Sequence, residues 1–416
     1  MKELKADIAV IGGGPAGMAA AAEAERAGVE NVILLERDYE LGGVLQQCIH
    51  DGFGLHRFKK RMSGTQYAQY FIDDLEKSGV NVMLDTMVID ITKNKEIYAC
   101  NKVDGIIRIS ARTIILAMGC RERTAGQILL FGHRPAGVMT AGSLQRYINM
   151  EGYLPGKRAV ILGSGDIGLI MARRMILEKM EVEGVYEVMK IPGGLTRNIV
   201  QCLEDYGIPL HLSSTVTRVH GKNVLEGVTV AGLNDERKII PGSERYVACD
   251  LLALAVGLIP ENELSLKIGV KMDPRTKGPV LDSDFMTSVP GVFAAGNVAV
   301  VFDLVDYVSD SAEIAARGAV KYLRGEIAPD RPLSNVLTEG NIDFVVPRKI
   351  TNNPDGDVKF FMRVREPQFN AVLTCKSDGG IIGNKRIDFA TPPEMIEYCG
   401  RVSDGRNVVL KVESAL

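Results

Sequence analysis

The hydrophobic positions of this chain fall mainly in short, unbroken apolar runs that stop at glycines. Residues 8–11, 114–118, 159–162, 251–256 and 292–295 each read this way. Unbroken runs of this length, without the alternation of a half-exposed strand, predict strands buried on both faces of a parallel sheet. Between them lie longer segments of helical character. Residues 16–27 are rich in Ala and Glu, and residues 167–180 place Ile167, Ile170, Met171 and Ile176 at mostly helical spacing. A further Ala-rich segment, 309–323, predicts a helix after the last of these strands. Strand, glycine turn, helix and strand in that order make a βαβ unit, and the order occurs twice.

The turns themselves carry chemistry. The first reads Gly12-Gly13-Gly14-Pro15-Ala16-Gly17 and the second Gly163-Ser164-Gly165-Asp166-Ile167-Gly168. Both are G-x-G-x-x-G between a strand and a helix. The first glycine permits the tight turn, the second admits a pyrophosphate close to the backbone, and the third lets helix pack on strand. Unpaired N–H groups at the helix start then face the phosphates. Each unit ends its second strand in an acid, Glu36 and Glu187, at the same separation of about 20 residues from the fingerprint. A carboxylate there accepts hydrogen bonds from a ribose 2′-hydroxyl and repels a 2′-phosphate. No arginine pair follows Glu187, only Val188, Met189 and Lys190, so the second site is expected to favour NAD over NADP.

Composition narrows the class. The chain has 416 residues, 46% of them apolar, which is enough for two or three domains with sizeable cores. A net charge of −3, with both signs interspersed, leaves no footprint for nucleic acid and no polybasic membrane patch. No apolar run reaches the length of a membrane span, and the polar start, 1–7, runs straight into the first strand without room for a signal peptide. Cytoplasmic residence is therefore expected. The seven cysteines include no C-x-x-C pair, and the five histidines are scattered, so neither a redox dithiol, nor an iron–sulfur cluster, nor a metal site is expected.

The order of these motifs resembles the two-dinucleotide-binding flavoproteins, the group that contains thioredoxin reductase and glutathione reductase, over roughly residues 5–325. The resemblance implies an α/β fold of two Rossmann-like domains, with the NAD domain inserted into the FAD domain. The expected boundaries are 1–120 and 249–330 for the FAD domain, 121–248 for the NAD domain, and 331–416 for a small, mostly β C-terminal domain. It also implies the cofactors FAD and NAD. By that resemblance Gly12, Gly14, Pro15, Ala16 and Gly17 lie at the FAD pyrophosphate, Glu36 and Arg37 at its adenosine, and Gly42-Gly43 against the flavin. Val88, the crossover turn Ala117-Met118-Gly119 and the pair Gly296-Asn297, at the ribityl chain, complete that site. Gly163, Gly165, Asp166, Ile167, Gly168 and Glu187 would hold NAD, and Gly257 is a further cofactor-binding residue. Asn297 and Met118 depart from the family's usual Asp and Thr.

Where thioredoxin reductase carries its dithiol, this chain reads Ala136-Gly137-Val138-Met139-Thr140-Ala141-Gly142. That stretch, with Gly119-Cys120-Arg121-Glu122-Arg123 and Pro155-Gly156-Lys157, is similar to the FAD/NAD-binding subunits of opine and amine dehydrogenases, sarcosine oxidase, hydrogen cyanide synthase and anaerobic glycerol 3-phosphate systems. The string Leu45-Gln46-Gln47-Cys48-Ile49-His50 resembles the glycerol 3-phosphate group. The resemblance implies an NADH-handling subunit beside a flavoprotein dehydrogenase subunit, with an iron–sulfur protein as a further partner, in an oligomer. Two alternatives stay open. One is a stand-alone NADH oxidase or diaphorase, and the other a nucleotide-binding scaffold without turnover. Cys48, His50 and Cys120 are expected to pack rather than react, and no catalytic side chain is assigned. The remainder shows short strand-like runs at 344–346, 358–364, 371–375 and 408–412, separated by Asn-Pro-Asp-Gly and Asp-Gly-Gly turns. It is shorter than the dimerisation domain of glutathione reductase relatives, which suggests docking of another subunit or a lid over the flavin domain.

Overall fold

Ile8, Ala9 and Val10 have no exposed surface, so the strand Lys2–Ile11 lies at the centre of its sheet rather than at an edge. Its parallel neighbours are Val32–Leu35 on one side and Gly105–Leu116 on the other. Asn81–Met83 and Val292–Ala294 extend the parallel part outward. The first half of Gly105–Leu116 also pairs with the antiparallel strand Glu96–Asn101, which pairs in turn with Met87–Ile91. A computed structural model describes residues 1–351, 357–377, 380–402 and 406–415. The Asn353-Pro354-Asp355-Gly356 turn and the Asp378-Gly379 part of the second expected turn lie outside the described residues.

The chain divides into two units, Met1–Cys120 with Pro260–Leu416, and Arg121–Ile259. Within the second unit the same strand order recurs: Leu210–His211, Glu181–Tyr186, Arg158–Leu162, Leu251–Leu254 and Val138–Thr140, all parallel. A separate sheet of Phe131–Gly132, Ser214–His220, Gly227–Gly232 and Arg245–Ala248 accompanies it. The run 251–256, expected to open the returning half of the first domain at residue 249, pairs instead with Arg158–Leu162, Leu251 lying opposite Ala159. It is the second unit's counterpart of 114–118, and the chain re-enters the first unit at Pro260.

Helix Pro15–Arg26 and helix Val305–Leu323 lie side by side in the first unit. Their facing residues are small and fully buried, among them Ala19, Ala20, Ala24, Ala312, Ala315, Ala316 and Ala319, which lets the backbones approach closely. Arg317 pairs with Glu23 at 2.8 Å and Arg324 donates to the Ala27 carbonyl, so the two helices run in the same direction. Both therefore start at the same edge of the sheet. The second helix begins at Val305, ahead of the expected 309.

The C-terminal segment folds as two layers with a core of their own. One sheet orders Lys349–Thr351, Leu333–Gly340, Val408–Ser414, Gln368–Ser377 and Gly380–Ala390, and the other orders Ile342–Val346, Asp357–Val364 and Ile396–Arg401. Phe360, Met362, Leu373 and Leu410 are fully buried between them. On the opposite face Phe361 joins the core of the first domain, edge-on to Phe302 at 5.1 Å and to Phe285 at 6.5 Å. Charges reinforce this junction. Arg331 bridges Asp282 at 2.5 Å and Asp284 at 3.0 Å. Lys359 reaches Asp310 at 2.5 Å and Glu397 at 3.1 Å, while Arg57 pairs with Asp310 and Glu313.

Burial pushes the Asp282 carboxyl up to about 6, with Arg331 opposing the rise. A raised carboxyl contributes most to stability below its unfolded value and loses that contribution as pH climbs through about 6. Asp282→Asn has no such proton to lose. The stability advantage of the parent over this variant should therefore shrink between pH 4 and 7, by up to about 3 kcal/mol, in denaturant titrations of both proteins. A difference that stays constant or grows with pH would contradict the shift.

Candidate functional site

The two fingerprints build nearly the same turn. At Gly12 the backbone has φ +105°, and a Cβ there would stand 2.5 Å from the Ala117 carbonyl oxygen. At Gly163 φ is +98°, and a Cβ would stand 2.2 Å from the Ala255 oxygen. Both first glycines thus sit against the end of the neighbouring strand, where no side chain fits. The third glycines close the turn from the helix side: a Cβ at Gly17 would meet the Gly12 oxygen at 1.7 Å, and one at Gly168 would meet the Ala255 Cβ at 2.7 Å. The second glycines differ from the others. Nothing lies within 4 Å of a Cβ at Gly14, and only the Ala255 oxygen, at 3.9 Å, approaches one at Gly165. Open space at that position, above the start of a helix, is what a pyrophosphate requires. Pro15 opens the first helix, costing it no hydrogen bond, and Ala16 and Ile167 follow in the first turns.

The acids are held by the same turns. Glu36 is buried, and its Oε2 accepts from the Gly13 N–H at 2.6 Å while Oε1 accepts from the Asp38 N–H at 2.8 Å. Glu187 is equally buried. Its Oε2 accepts from the Ser164 N–H at 2.9 Å and the Ser164 hydroxyl at 2.6 Å, and its Oε1 from the Met189 N–H at 2.9 Å. Each carboxylate is thereby fixed in orientation at the end of its strand, with acceptor capacity left over. The Ser164 hydroxyl accepts in turn from the Gly193 N–H at 2.8 Å, which ties the loop after Glu187 to the fingerprint. The sequence alone assigns Ser164 no role, although its place between two fingerprint glycines is an available signal. Lys190, the one cation near Glu187 in sequence, is paired with Asp235 at 2.9 Å on the surface.

In the first unit several of the remaining expected residues lie against the fingerprint. The Gly42 N–H donates to the Gly13 oxygen at 2.9 Å, and a Cβ at Gly43 would stand 3.1 Å from the Gly14 Cα. Gly296, with φ +67°, faces Ala16, where a Cβ would meet the Ala16 Cβ at 2.7 Å. Asn297 accepts from the Phe302 N–H at 3.0 Å and donates to the Cys120 sulfur at 3.6 Å, so it shapes the loop that leads into helix Val305–Leu323. Ala117, Met118 and Gly119 continue the strand Gly105–Leu116 past Gly12. Arg37 is exposed, whereas Val88 lies in the core of the antiparallel extension. At the start of helix Val305–Leu323 the buried Asp306 accepts from the His56 N–H at 3.1 Å with one oxygen, and its other oxygen has no partner among the described residues. No motif marks Asp306 in the sequence.

The second fingerprint carries one device that the first lacks. Asp166, in the first turn of helix Asp166–Leu177, accepts from the Leu195 N–H at 2.8 Å and the Asn198 amide at 2.6 Å. It therefore anchors the loop behind Glu187. Gly257, with φ +105°, continues past the Gly163 turn as Gly119 does in the first unit.

Cys48 is buried, its thiol donates to the Val44 oxygen at 3.2 Å, and burial pushes it up to about 12. It is a packed thiol with no thiolate character near neutrality. His50 lies against the Phe53 ring at 5.1 Å. Among the described residues no group of histidines, cysteines and carboxylates could hold a metal ion, and no helix is long and apolar enough to cross a membrane.

Several known proteins are similar to this chain. The family pattern described as Pyridine nucleotide-disulphide oxidoreductase matches residues 6–319. Hydrogen cyanide synthase subunit HcnB of Pseudomonas protegens is 27% identical over 286 residues, 63% of this chain and 58% of that protein. An opine oxidase subunit of Agrobacterium tumefaciens is 23% identical over 309 residues, 70% of this chain and 61% of that one. The chain thus spans about three fifths of the length of these curated relatives. The crystal structure of thioredoxin reductase from T. acidophilum superposes with a TM-score of 0.63 at 24% identity, covering 78% of this chain and 99% of that one, which shows a shared fold. The chain belongs to the pyridine nucleotide-disulphide oxidoreductases, enzymes that work with FAD and a nicotinamide nucleotide.

Proposed function

We propose that the first fingerprint holds FAD, the second holds NAD, and that the protein exchanges hydride between them as the NADH-handling subunit of a multisubunit dehydrogenase. The observation that carries this reading is the repeated acid–glycine lock, Glu36 on Gly13 and Glu187 on Ser164, each beside a second glycine that faces open space. When bound, the two cofactors supply the redox chemistry, and the protein supplies alignment and electrostatics. The helix starts at Pro15 and Asp166 offer N–H groups to phosphates. Glu36 and Glu187, already oriented by backbone donors, accept from ribose hydroxyls. Glu187 disfavours a 2′-phosphate, and Lys190, occupied by Asp235, does not offset it.

A dehydrogenase partner is supported by two relatives whose names mark them as parts of larger enzymes, one from hydrogen cyanide synthase and one from opine oxidase. Glycerol 3-phosphate is the first substrate to try, on the resemblance around Cys48, with an iron–sulfur protein as the electron link. The buried Cys48 thiol speaks against a self-contained oxidase that would need a reactive cysteine beside the flavin.

Anaerobic titration of the yellow protein tests the reading. NADH should bleach the flavin band, NADPH should do so at much higher concentration, and glycerol 3-phosphate alone should not. Cys48→Ser should leave the rate of dye reduction by NADH within about twofold. No bleaching by NADH with FAD bound would leave a scaffold without turnover.

A further inference from the structure

The turn that would hold the second pyrophosphate brings no cation of its own. The fingerprint 163–168 contains no basic residue, and Lys190, in the loop behind Glu187, is paired with Asp235. A pyrophosphate is doubly negative, and the buried Glu187 carboxylate, bonded to Ser164, adds to the negative charge at the same turn. Backbone N–H groups and the helix start offset part of that charge. A full positive charge lies a short way along the sheet edge.

Glu181–Tyr186 and Leu251–Leu254 flank Arg158–Leu162 on opposite sides, and all three run parallel, so Glu187, the fingerprint and the residues after Leu254 share one edge of the sheet. The Ala255 oxygen borders the fingerprint, 2.2 Å from a Cβ built at Gly163 and 3.9 Å from one at the open Gly165. Two residues on, Gly257 turns with φ +105°, and the Arg123 side chain crosses it: a Cβ at Gly257 would stand 3.9 Å from the Arg123 Cδ and 4.0 Å from its Nε. The Arg123 N–H donates to the Gly257 oxygen at 3.0 Å, which fixes the point from which that side chain extends. Arg123 is exposed, and its guanidinium has no hydrogen-bond or ion-pair partner among the described residues. A dinucleotide with its adenosine ribose at Glu187 and its pyrophosphate over Gly165 carries its nicotinamide half away from Glu187, over the end of Leu251–Leu254. That path leads from Gly165 past Ala255 to Gly257 and the free guanidinium.

We propose that Arg123 binds the nicotinamide-side phosphate of NAD. The proposal rests on the assignment of NAD to the second fingerprint. A guanidinium offers two parallel N–H donors to two phosphate oxygens, so it supplies direction as well as charge. Glu187 and Arg123 would then hold the dinucleotide from opposite sides of the fingerprint, one at the adenosine ribose and one at the phosphate next to the nicotinamide ribose. No glycine motif marks Arg123, which lies well ahead of the fingerprint in the chain and reaches it only through the turn at Gly257.

Titration calorimetry on the full-length, oxidised yellow protein tests this with three ligands. Oxidised NAD and ADP-ribose carry the nicotinamide-side phosphate, and AMP carries only the adenosine-side one. Arg123→Ala should raise the dissociation constants of NAD and ADP-ribose by about 10- to 100-fold, the loss of one charged hydrogen-bonding group, and leave that of AMP within about twofold. Unchanged AMP binding and flavin content equal to the parent's show that the variant is folded. Equal weakening of all three ligands, the mark of a structural role or of a diffuse field, would overturn the proposal. So would NAD and ADP-ribose binding as tightly to Arg123→Ala as to the parent, a result that leaves the second fingerprint as the NAD site. A parent that binds none of the three ligands would instead remove NAD from that fingerprint, and the role of Arg123 with it.

Discussion

Gly17→Ala is expected to purify colourless, whereas Gly163→Ala is expected to purify yellow and to be blind to NADH. A single methyl at Gly17 would lie 1.7 Å from the carbonyl oxygen of Gly12, both atoms belonging to the turn itself, so no side chain can swing away to relieve the overlap. The turn must open, and with it the face on which the Gly42 N–H meets the Gly13 oxygen. A cost of about 3 kcal/mol or more follows, equivalent to a loss of flavin affinity of at least about a hundredfold. At Gly163 the methyl would meet the Ala255 oxygen at 2.2 Å from a backbone with φ +98°, a comparable strain located in the other unit. Visible absorbance of the purified proteins, then anaerobic bleaching by NADH, reads both outcomes. A yellow Gly17→Ala protein with full flavin content would refute the assignment of the first fingerprint to FAD.

Changing Glu187 should alter the choice of nucleotide more than any other single substitution in the second unit. In Glu187→Gln the charge that repels a 2′-phosphate is gone. One end of the new amide must also face a donor it cannot accept from, the Ser164 N–H or the Met189 N–H. Leaving such a donor unsatisfied costs about 1–3 kcal/mol. The ratio of kcat/KM for NADH over NADPH, measured by dye reduction, should therefore fall by about 10- to 100-fold, mostly through KM for NADH. Glu36→Gln provides the internal contrast: it should weaken flavin retention and leave that ratio unchanged. An unaltered ratio in Glu187→Gln would move nucleotide selection elsewhere.

Local chemistry determines how much of this is legible in the sequence. The glycine turns, both helices that follow them and both acids are specified by residues within about 20 positions of one another, so sequence pattern reaches them. The fate of 251–256 is not local. Its run of apolar residues suits either sheet, and only the pairing of Leu251 opposite Ala159 decides it. Ser164 is hidden for another reason: a residue inside a glycine motif reads as filler until its hydroxyl is seen on Glu187. Asp306 is invisible because burial of a carboxylate at a helix start comes from the loop around His56, some 250 residues away in the chain. In the C-terminal domain the strands Leu333–Gly340 and Gly380–Ala390 leave little trace in the pattern, since much of each strand faces solvent and the apolar runs are correspondingly broken.

The junction built by Arg331 and Lys359 has a consequence for how the molecule comes apart. Removing the C-terminal domain would strip Arg331 from the buried Asp282 and Lys359 from Asp310, and would uncover Phe285 and Phe302. Asp282, almost fully buried, would be left without its cation, among the costliest losses a fold can suffer, whereas the partly exposed Asp310 would keep Arg57. The β-domain is thus no detachable accessory. It and the first domain form one cooperative folding block, in which loosening the last strands of the chain also loosens the helix that begins at Val305.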